Sequence, residues 1–129
     1  MVQIVRREAM HHTGSRGPAW FFHGADSDFG AVSLVINETA PGNGPPLHTH
    51  SYDEIFVVVD GQSTFTIQDG DRSTIVELRT GDVARVPAGT PHGWKNTGDR
   101  AVRQVDIHLT ERMAVATGKA ADIFSSAIK

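Results

Sequence analysis

The sequence predicts an all-β fold, an antiparallel sandwich or barrel built from short strands. Stretches in which apolar and polar residues alternate recur along the chain, and glycine, proline and Asp-Gly pairs separate them. Such alternation is typical of strands with one buried face, and Asp-Gly favours the positive backbone angles of tight hairpin turns. A helical period is almost absent until the C-terminal residues. About ten short strands with this punctuation indicate a sandwich or barrel.

The first part of the chain is predicted to hold three strands and two loops. Strands are expected at Val2 to Arg6, Ala19 to His23 and Phe29 to Asn37. The composition of His11 to Gly17 indicates a loop. Pro41 to Pro46 is expected to be a second loop, because its glycines and successive prolines interrupt either regular element.

The second part of the chain is predicted to be a series of hairpins. Asp60-Gly61 and Asp69-Gly70 are the expected turns. The strands expected around and beyond them are Glu54 to Val59, Ser63 to Gln68, the stretch Gln68 to Leu78 that Asp69-Gly70 splits, Val83 to Val86, His92 to Asn96 and Ala101 to Leu109.

Only the C-terminal residues change period. Ala120, Ile123, Phe124, Ala127 and Ile128 recur at helical intervals, which predicts a short C-terminal helix. Neither repeats nor low-complexity linkers interrupt the chain, so residues 1–129 are expected to form a single domain.

The composition is that of an ordinary globular protein, with 39% hydrophobic and 21% charged residues. The chain has 12 basic and 15 acidic residues and no basic stripe, so we expect no nucleic-acid partner. Neither a signal peptide nor an apolar run of membrane-spanning length is apparent, and no membrane association is expected. The chain contains no cysteine, which excludes disulfides and thiolate ligands and favours a cytoplasmic location.

A candidate metal-ligand set begins after the proline loop. His48 and His50 flank one residue, and Glu54 follows them at even spacing. Alternate side chains of an extended backbone share a face, so these three side chains can point the same way. Two imidazoles and a carboxylate that converge on one point form a set of ligands for a metal ion.

A third histidine, His92, lies in another turn-flanked strand pattern and completes the set. The stretch GDVARVPAGTPHGWKN contains Gly81, Pro87, Gly89, His92 and Asn96. The earlier stretch contains a glycine, His-x-His, a glutamate and a glycine at matching spacing. Together the two stretches resemble the two signature motifs of the cupin superfamily, with every motif position met over residues 42–96.

The resemblance implies a small single-domain cupin of the quercetinase-like type, whose fold is a jelly-roll barrel, or double-stranded β-helix. It implies that His48, His50, Glu54 and His92 hold one divalent transition metal: iron, manganese, nickel, copper or zinc. Ligand type alone does not select among these metals. In flavonol-cleaving cupins the corresponding glutamate also serves as a base, so Glu54 is the candidate catalytic residue by analogy.

Two aromatic residues are candidates for the pocket. By parity with the ligands, Phe56 should face the barrel interior, where it can be ordinary core. Trp94 lies two residues after His92 and is either a pocket wall or a lid over the core.

The strand Ala101 to Leu109 has two different faces. Gln104, Asp106 and His108 lie on one face, and apolar residues lie on the other. The polar face could line the cavity and hydrogen-bond to ligands or substrate, or it could face solvent from an outer sheet. We expect the solvent-facing arrangement.

The resemblance leaves three classes of function open. The leading hypothesis is an oxygenase that cleaves or oxidises a small organic substrate. A metal-dependent isomerase or lyase, in which the metal polarises a carbonyl, is the second. A module that binds a small ligand without catalysis is the third. We also expect a homodimer, because Val2 to Arg6 and Trp20 to Phe22 offer an apolar edge.

Overall fold

The computed structural model describes residues 1–14, 16–115 and 117–118, which fold into two antiparallel β-sheets. Its strands are β1 (His11–Thr13), β2 (Ala19–Phe22), β3 (Ser33–Thr39), β4 (His48–Thr49), β5 (Glu54–Asp60), β6 (Gln62–Asp69), β7 (Arg72–Arg79), β8 (Val83–Val86), β9 (His92–Lys95), β10 (Val102–His108) and β11 (Thr117–Gly118). Short 3-10 helices cover Arg7–Ala9 and Gly24–Asp26.

The first sheet has six strands in the order β1-β2-β3-β10-β5-β8, and the second has five in the order β11-β4-β9-β6-β7. Inward side chains of both sheets meet in one apolar cluster: Phe56, Val58, Phe65, Leu78, Val86, Trp94 and Val102. The two sheets therefore pack face to face around a shared core, as the predicted all-β sandwich requires.

The expected jelly-roll architecture is confirmed, whereas the C-terminal helix expected at Ala120 to Ile128 lies outside the described residues. In the part of the chain that the structure describes, no helix has the length and apolar character needed to cross a bilayer.

Two predictions near the N-terminus were wrong. Val2 to Arg6 forms no strand, and instead the predicted loop contributes β1, which pairs with β2 through His11↔Phe21. The aromatic strand β2 presents a free edge that an extended segment can pair with, and this tertiary pairing outweighs the loop-like composition of His11 to Gly17.

The prediction of a hairpin at Asp60-Gly61 was also wrong. Strands β5 and β6 belong to different sheets, so this connection is a corner between the sheets. Gly61 has φ +111°, and a Cβ there would lie 3.0 Å from the Cα of Val102. The glycine therefore permits a close crossing of two backbones as well as a turn. Asp69 and Gly70, by contrast, do lie at the β6–β7 hairpin.

Candidate metal centre

Four buried side chains meet between the sheets at one end of the apolar cluster. They come from β4, the loop after it, the start of β5 and the start of β9, and they are His48, His50, Glu54 and His92. Their candidate ligand atoms all lie within 4.8 Å of one another. The structure thus brings together the four residues that the two motifs single out.

The glycine- and proline-rich loop before β4 sets the position of His48. Gly44 has φ +157°, and a Cβ there would lie 1.9 Å from the backbone oxygen of Trp94. The Trp94 amide donates a hydrogen bond of 3.2 Å to the Pro45 oxygen, which fastens the loop to β9. His48 consequently pairs with His92 across the β4–β9 register.

Backbone carbonyls orient the three imidazoles. The Nδ1 atoms lie 2.7 Å from the oxygen of Pro46 for His48, 2.6 Å from that of Ala114 for His50 and 2.9 Å from that of Thr90 for His92. A carbonyl oxygen can only accept, so each Nδ1 carries a proton and Nε2 is the ring nitrogen left to face the site. Nε2 is therefore the ligand atom that all three rings offer.

The site fits a cation. His50 Nε2 is buried without a hydrogen-bond partner in the described chain, yet it lies 3.1 Å from Glu54 Oε1. His92 Nε2 lies 3.3 Å from the same oxygen. Bare nitrogens this close to a carboxylate oxygen need a proton or a cation between them. Three nitrogen donors and one oxygen donor suit a divalent first-row transition metal.

A fifth buried group, His108, contacts the other carboxylate oxygen. Its Nε2 lies 3.2 Å from Glu54 Oε2, and its Nδ1 lies 2.7 Å from the hydroxyl of Tyr52. Because the carboxylate can only accept, we assign the His108 proton to Nε2 and the donated hydroxyl hydrogen to Tyr52. His108 therefore carries its proton on Nε2, whereas the three candidate ligand histidines carry a proton on Nδ1.

Burial determines the charge of these groups. It lowers the pKa of His48 to about 4 and that of His108 to about 4, so both rings are neutral at pH 7. Burial by itself raises the pKa of Glu54, but the adjoining imidazoles, His108 first among them, outweigh it and hold that pKa well below its ordinary value. The site thus combines neutral imidazoles at His48 and His108 with an ionised carboxylate at Glu54.

Behind the site lies a buried hydrogen-bonded network centred on Asp106. Its Oδ1 accepts from Gln104 Nε2 at 2.8 Å, and its Oδ2 accepts from Asn37 Nδ2 at 3.2 Å. Ser63 in turn donates to Gln104 at 2.8 Å. Burial, followed by the charge of Glu54, raises the pKa of Asp106 well above its ordinary value.

The solvent-facing orientation expected for the polar face of β10 is therefore wrong. Gln104, Asp106 and His108 are buried between the sheets, and the apolar residues Val105 and Ile107 face outward. The alternation was read correctly, but the usual assignment of the apolar face to the interior fails beside a polar site.

The two aromatic candidates lie in the core next to the site. The Phe56 ring is centred 5.8 Å from the His92 ring, and the Trp94 ring lies 6.1 Å from that of Phe65. Both are buried, so Trp94 serves as core around the site.

Sequence reasoning missed Tyr52. Its ring stacks on His50 with centroids 4.8 Å apart, and its hydroxyl lies 2.7 Å from His108 Nδ1 and accepts a hydrogen bond of 3.3 Å from the Ala114 amide. The signal was present in the first motif, because Tyr52 shares the parity of His50 and Glu54.

The comparisons with known proteins agree with this geometry. A family model described as the cupin domain matches residues 35–108. Acireductone dioxygenase 1 of Pectobacterium atrosepticum is 40% identical over 52 residues, which are 40% of this chain and 30% of that protein. Quercetin 2,3-dioxygenase of Bacillus subtilis is 35% identical over 68 residues, which are 52% of this chain and 19% of that protein. The chain therefore matches only a minor part of each of these relatives.

Among solved structures, a variant of oxalate decarboxylase from Bacillus subtilis superposes with a TM-score of 0.78 at 20% identity. The superposition covers 88% of this chain and 31% of that one. At this identity the likeness shows a shared fold alone.

Proposed function

This chain belongs to the cupin domain family, and on that premise we propose that it is a metal-dependent dioxygenase acting on a small organic substrate. His48, His50, Glu54 and His92 would hold one divalent transition metal. When bound, the metal would supply a Lewis acid for substrate oxygens and an electron donor for the reaction with dioxygen.

One observation carries the proposal: the ligand atoms of three imidazoles and the carboxylate of Glu54 lie within 4.8 Å of one another inside a buried site. The backbone carbonyls of Pro46, Ala114 and Thr90 fix this arrangement. Groups held in place before the substrate arrives need little reorganisation during the reaction. Four protein ligands also leave coordination positions for a substrate.

Glu54 is proposed to act as the base that takes a proton from an enolisable substrate. Its low pKa keeps it ionised at pH 7. Oε1 faces the Nε2 atoms of His50 and His92 and would bind the metal, so a substrate proton would be taken up at Oε2, which keeps a lone pair beside the hydrogen bond from His108. Removal of that proton raises the electron density of the substrate, which favours its oxidation.

The names of the relatives support dioxygen chemistry. Acireductone dioxygenase and quercetin 2,3-dioxygenase are both dioxygenases, although the matches cover small parts of them. An isomerase or lyase reaction would use the same metal without dioxygen, and the experiment below separates the two.

The proposal is tested by measuring oxygen uptake by protein loaded with iron, manganese or nickel, with flavonols, catechols and 1,3-diketones as trial substrates. We expect uptake that requires both metal and substrate, with the His50→Ala variant as the inactive control. Turnover of a sugar or keto acid without oxygen uptake on this panel would favour the isomerase or lyase function.

We further propose that the protein is a homodimer that pairs through the outer face of the six-stranded sheet. A row of apolar residues crosses this face in register: Trp20, Ile36, Val105, Val57 and Val83. Ile36 is 37% exposed and Val83 is 63% exposed. Sheets with one solvated face usually present polar residues there, and a two-fold axis would let two such rows cover each other.

Light scattering at micromolar concentration tests the dimer. We expect about twice the chain mass of 13.9 kDa for the native protein and a monomer for Val83→Glu. Ile75→Glu is the matched control, since Ile75 is 72% exposed on the other sheet. A native monomer contradicts this part of the proposal.

A cytoplasmic location is proposed on the cysteine-free composition, because nothing in the chain depends on an oxidising compartment. Cell fractionation tests it.

A further inference from the structure

An apolar cavity of about 200 Å³ lies between the sheets, where their edge strands β7 and β8 approach each other. Seven of the eight residues around it are apolar. The inner part is formed by Phe65, Ile67, Leu78, Ala84 and Val86. Phe65, Leu78 and Val86 are buried, so this wall belongs to the interior of the barrel.

The cavity adjoins the candidate metal centre. Val86 is the partner of Glu54 in the β5–β8 register, and Ile67 is the partner of His92 in the β6–β9 register. Residues directly opposite each other on one face of an antiparallel pair have Cβ atoms about 5 Å apart. Two walls of the cavity therefore begin beside two of the four presumed ligands.

The rim of the cavity carries its one cationic residue. Arg85 Nη1 lies 3.1 Å from Asp53 Oδ2, and Asp53 Oδ1 also accepts a hydrogen bond of 2.9 Å from the Ala88 amide. This pairing holds the guanidinium on the outer side of β8, at the opening between β7 and β8. The inner part of the cavity is therefore lined by apolar side chains.

The size and the lining together define what the cavity can hold. An apolar cavity of about 150 Å³ lined by aliphatic and aromatic side chains stays dry and takes up benzene. This cavity is somewhat larger and opens to solvent at Val76, Arg85 and Pro87, and its apolar inner wall suits one substituted six-membered ring or a branched alkyl group. A charged or strongly hydrated group placed there would lose its water without gaining partners.

We propose that this cavity is the subsite for the apolar part of the substrate, which carries chelating oxygens at one end and a single ring or branched alkyl group at the other. The inference rests on the proposed metal-dependent function. In this proposal the substrate enters between the edge strands β7 and β8. Burial of its apolar part next to Glu54 and His92 then determines which substrates bind.

A pair of hydroxamic acids tests the subsite without turnover. Acetohydroxamic and benzohydroxamic acid chelate a metal through the same atoms and differ in a methyl against a phenyl group. Their dissociation constants are measured on Co²⁺-loaded protein by the change in the visible spectrum. The ratio of the two dissociation constants is divided by the same ratio measured with aqueous Co²⁺. This division removes the intrinsic difference between the two acids as chelators.

In the native protein we expect benzohydroxamic acid to bind at least about tenfold more tightly after this correction, because the ring buries apolar surface. Ala84→Leu fills the cavity from β8 and should bring the ratio close to one, with the acetohydroxamic constant unchanged. Val76→Phe fills it from β7 at a residue that is 40% exposed, so it tests the cavity even where Ala84→Leu does not fold. Val83→Leu, on the outer face of β8, is the matched control and should keep the native ratio.

The outcomes separate the two claims. A native ratio near one, or a ratio that neither filling variant lowers, overturns the subsite and leaves the metal centre standing. If neither acid alters the Co²⁺ spectrum, the proposed metal-dependent function fails and the subsite fails with it.

Discussion

His108 Nε2 lies 3.2 Å from Glu54 Oε2, while the Nε2 atoms of His50 and His92 lie 3.1 and 3.3 Å from Glu54 Oε1. The two oxygens of one carboxylate thus face different partners. This division predicts that Glu54 binds a metal through Oε1 alone and that His108 holds the carboxylate in place.

We therefore predict that His108→Phe weakens metal binding about 10- to 100-fold, the usual cost of losing a hydrogen bond to a metal ligand. The measurement is the dissociation constant for Co²⁺ from competition with a chelator. His108→Gln keeps a donor and should recover part of the affinity, which a purely structural role would not explain. An unchanged constant in His108→Phe contradicts the assignment.

His50→Ala should empty the metal centre. The substitution removes one nitrogen donor and leaves the carboxylate of Glu54 buried beside a void. Elemental analysis should show close to one metal per native chain and almost none in the variant. His12→Ala is the control, because His12 is exposed on β1 and should keep a full complement. Stoichiometric metal in His50→Ala would show that the ion binds elsewhere.

Glu54→Gln should retain some metal and lose most turnover. The amide still offers one oxygen but cannot accept a substrate proton, and loss of a general base costs at least about 100-fold. Oxygen uptake and metal content are measured on the same preparation, so that lost activity is not confused with lost metal. Near-native uptake would remove Glu54 from the proton transfer.

The buried His108 should make stability depend on pH. Burial lowers its pKa in the folded protein from 6.5 to about 4, so the unfolded chain takes up a proton first as pH falls. The contribution of His108 to the free energy of unfolding is therefore greatest above pH 6.5 and declines between pH 6.5 and 4. At pH 5 this decline amounts to about 2 kcal/mol.

This decline is measured by denaturant unfolding of metal-free native protein and of His108→Gln, which does not titrate. The difference between the two cancels the contribution of Asp106, whose pKa is shifted in the opposite direction. A difference that stays constant between pH 7 and pH 5 would show that His108 is not buried neutral.

The fold class could be predicted from the sequence, because turns and alternation are local properties. The meeting of His92 with His48, His50 and Glu54 was predicted only through the resemblance of the two motifs to those of cupins. The orientation of β10 could not be predicted in the same way. Parity divides its residues into two faces, but only the position of the strand between β3 and β5 decides which face is inside.

The corner at Gly61 was unpredictable for a related reason. A hairpin and a crossing between sheets both need a glycine with positive φ, so the residue type does not distinguish them. The distinction depends on Val102, which is distant in sequence and packs against Gly61.

The attachment of each ligand imidazole to a main-chain carbonyl has a consequence for how such a protein can diverge. Main-chain oxygens persist whatever side chain a position carries, so mutation cannot delete them as it deletes a carboxylate or an amide. In the proposed subsite, residues such as Ile67, Val76 and Ala84 could therefore be exchanged to accept other substrates without changing the orientation of the imidazoles. In this architecture the residues that would hold the metal and the residues that would select the substrate can change independently of each other.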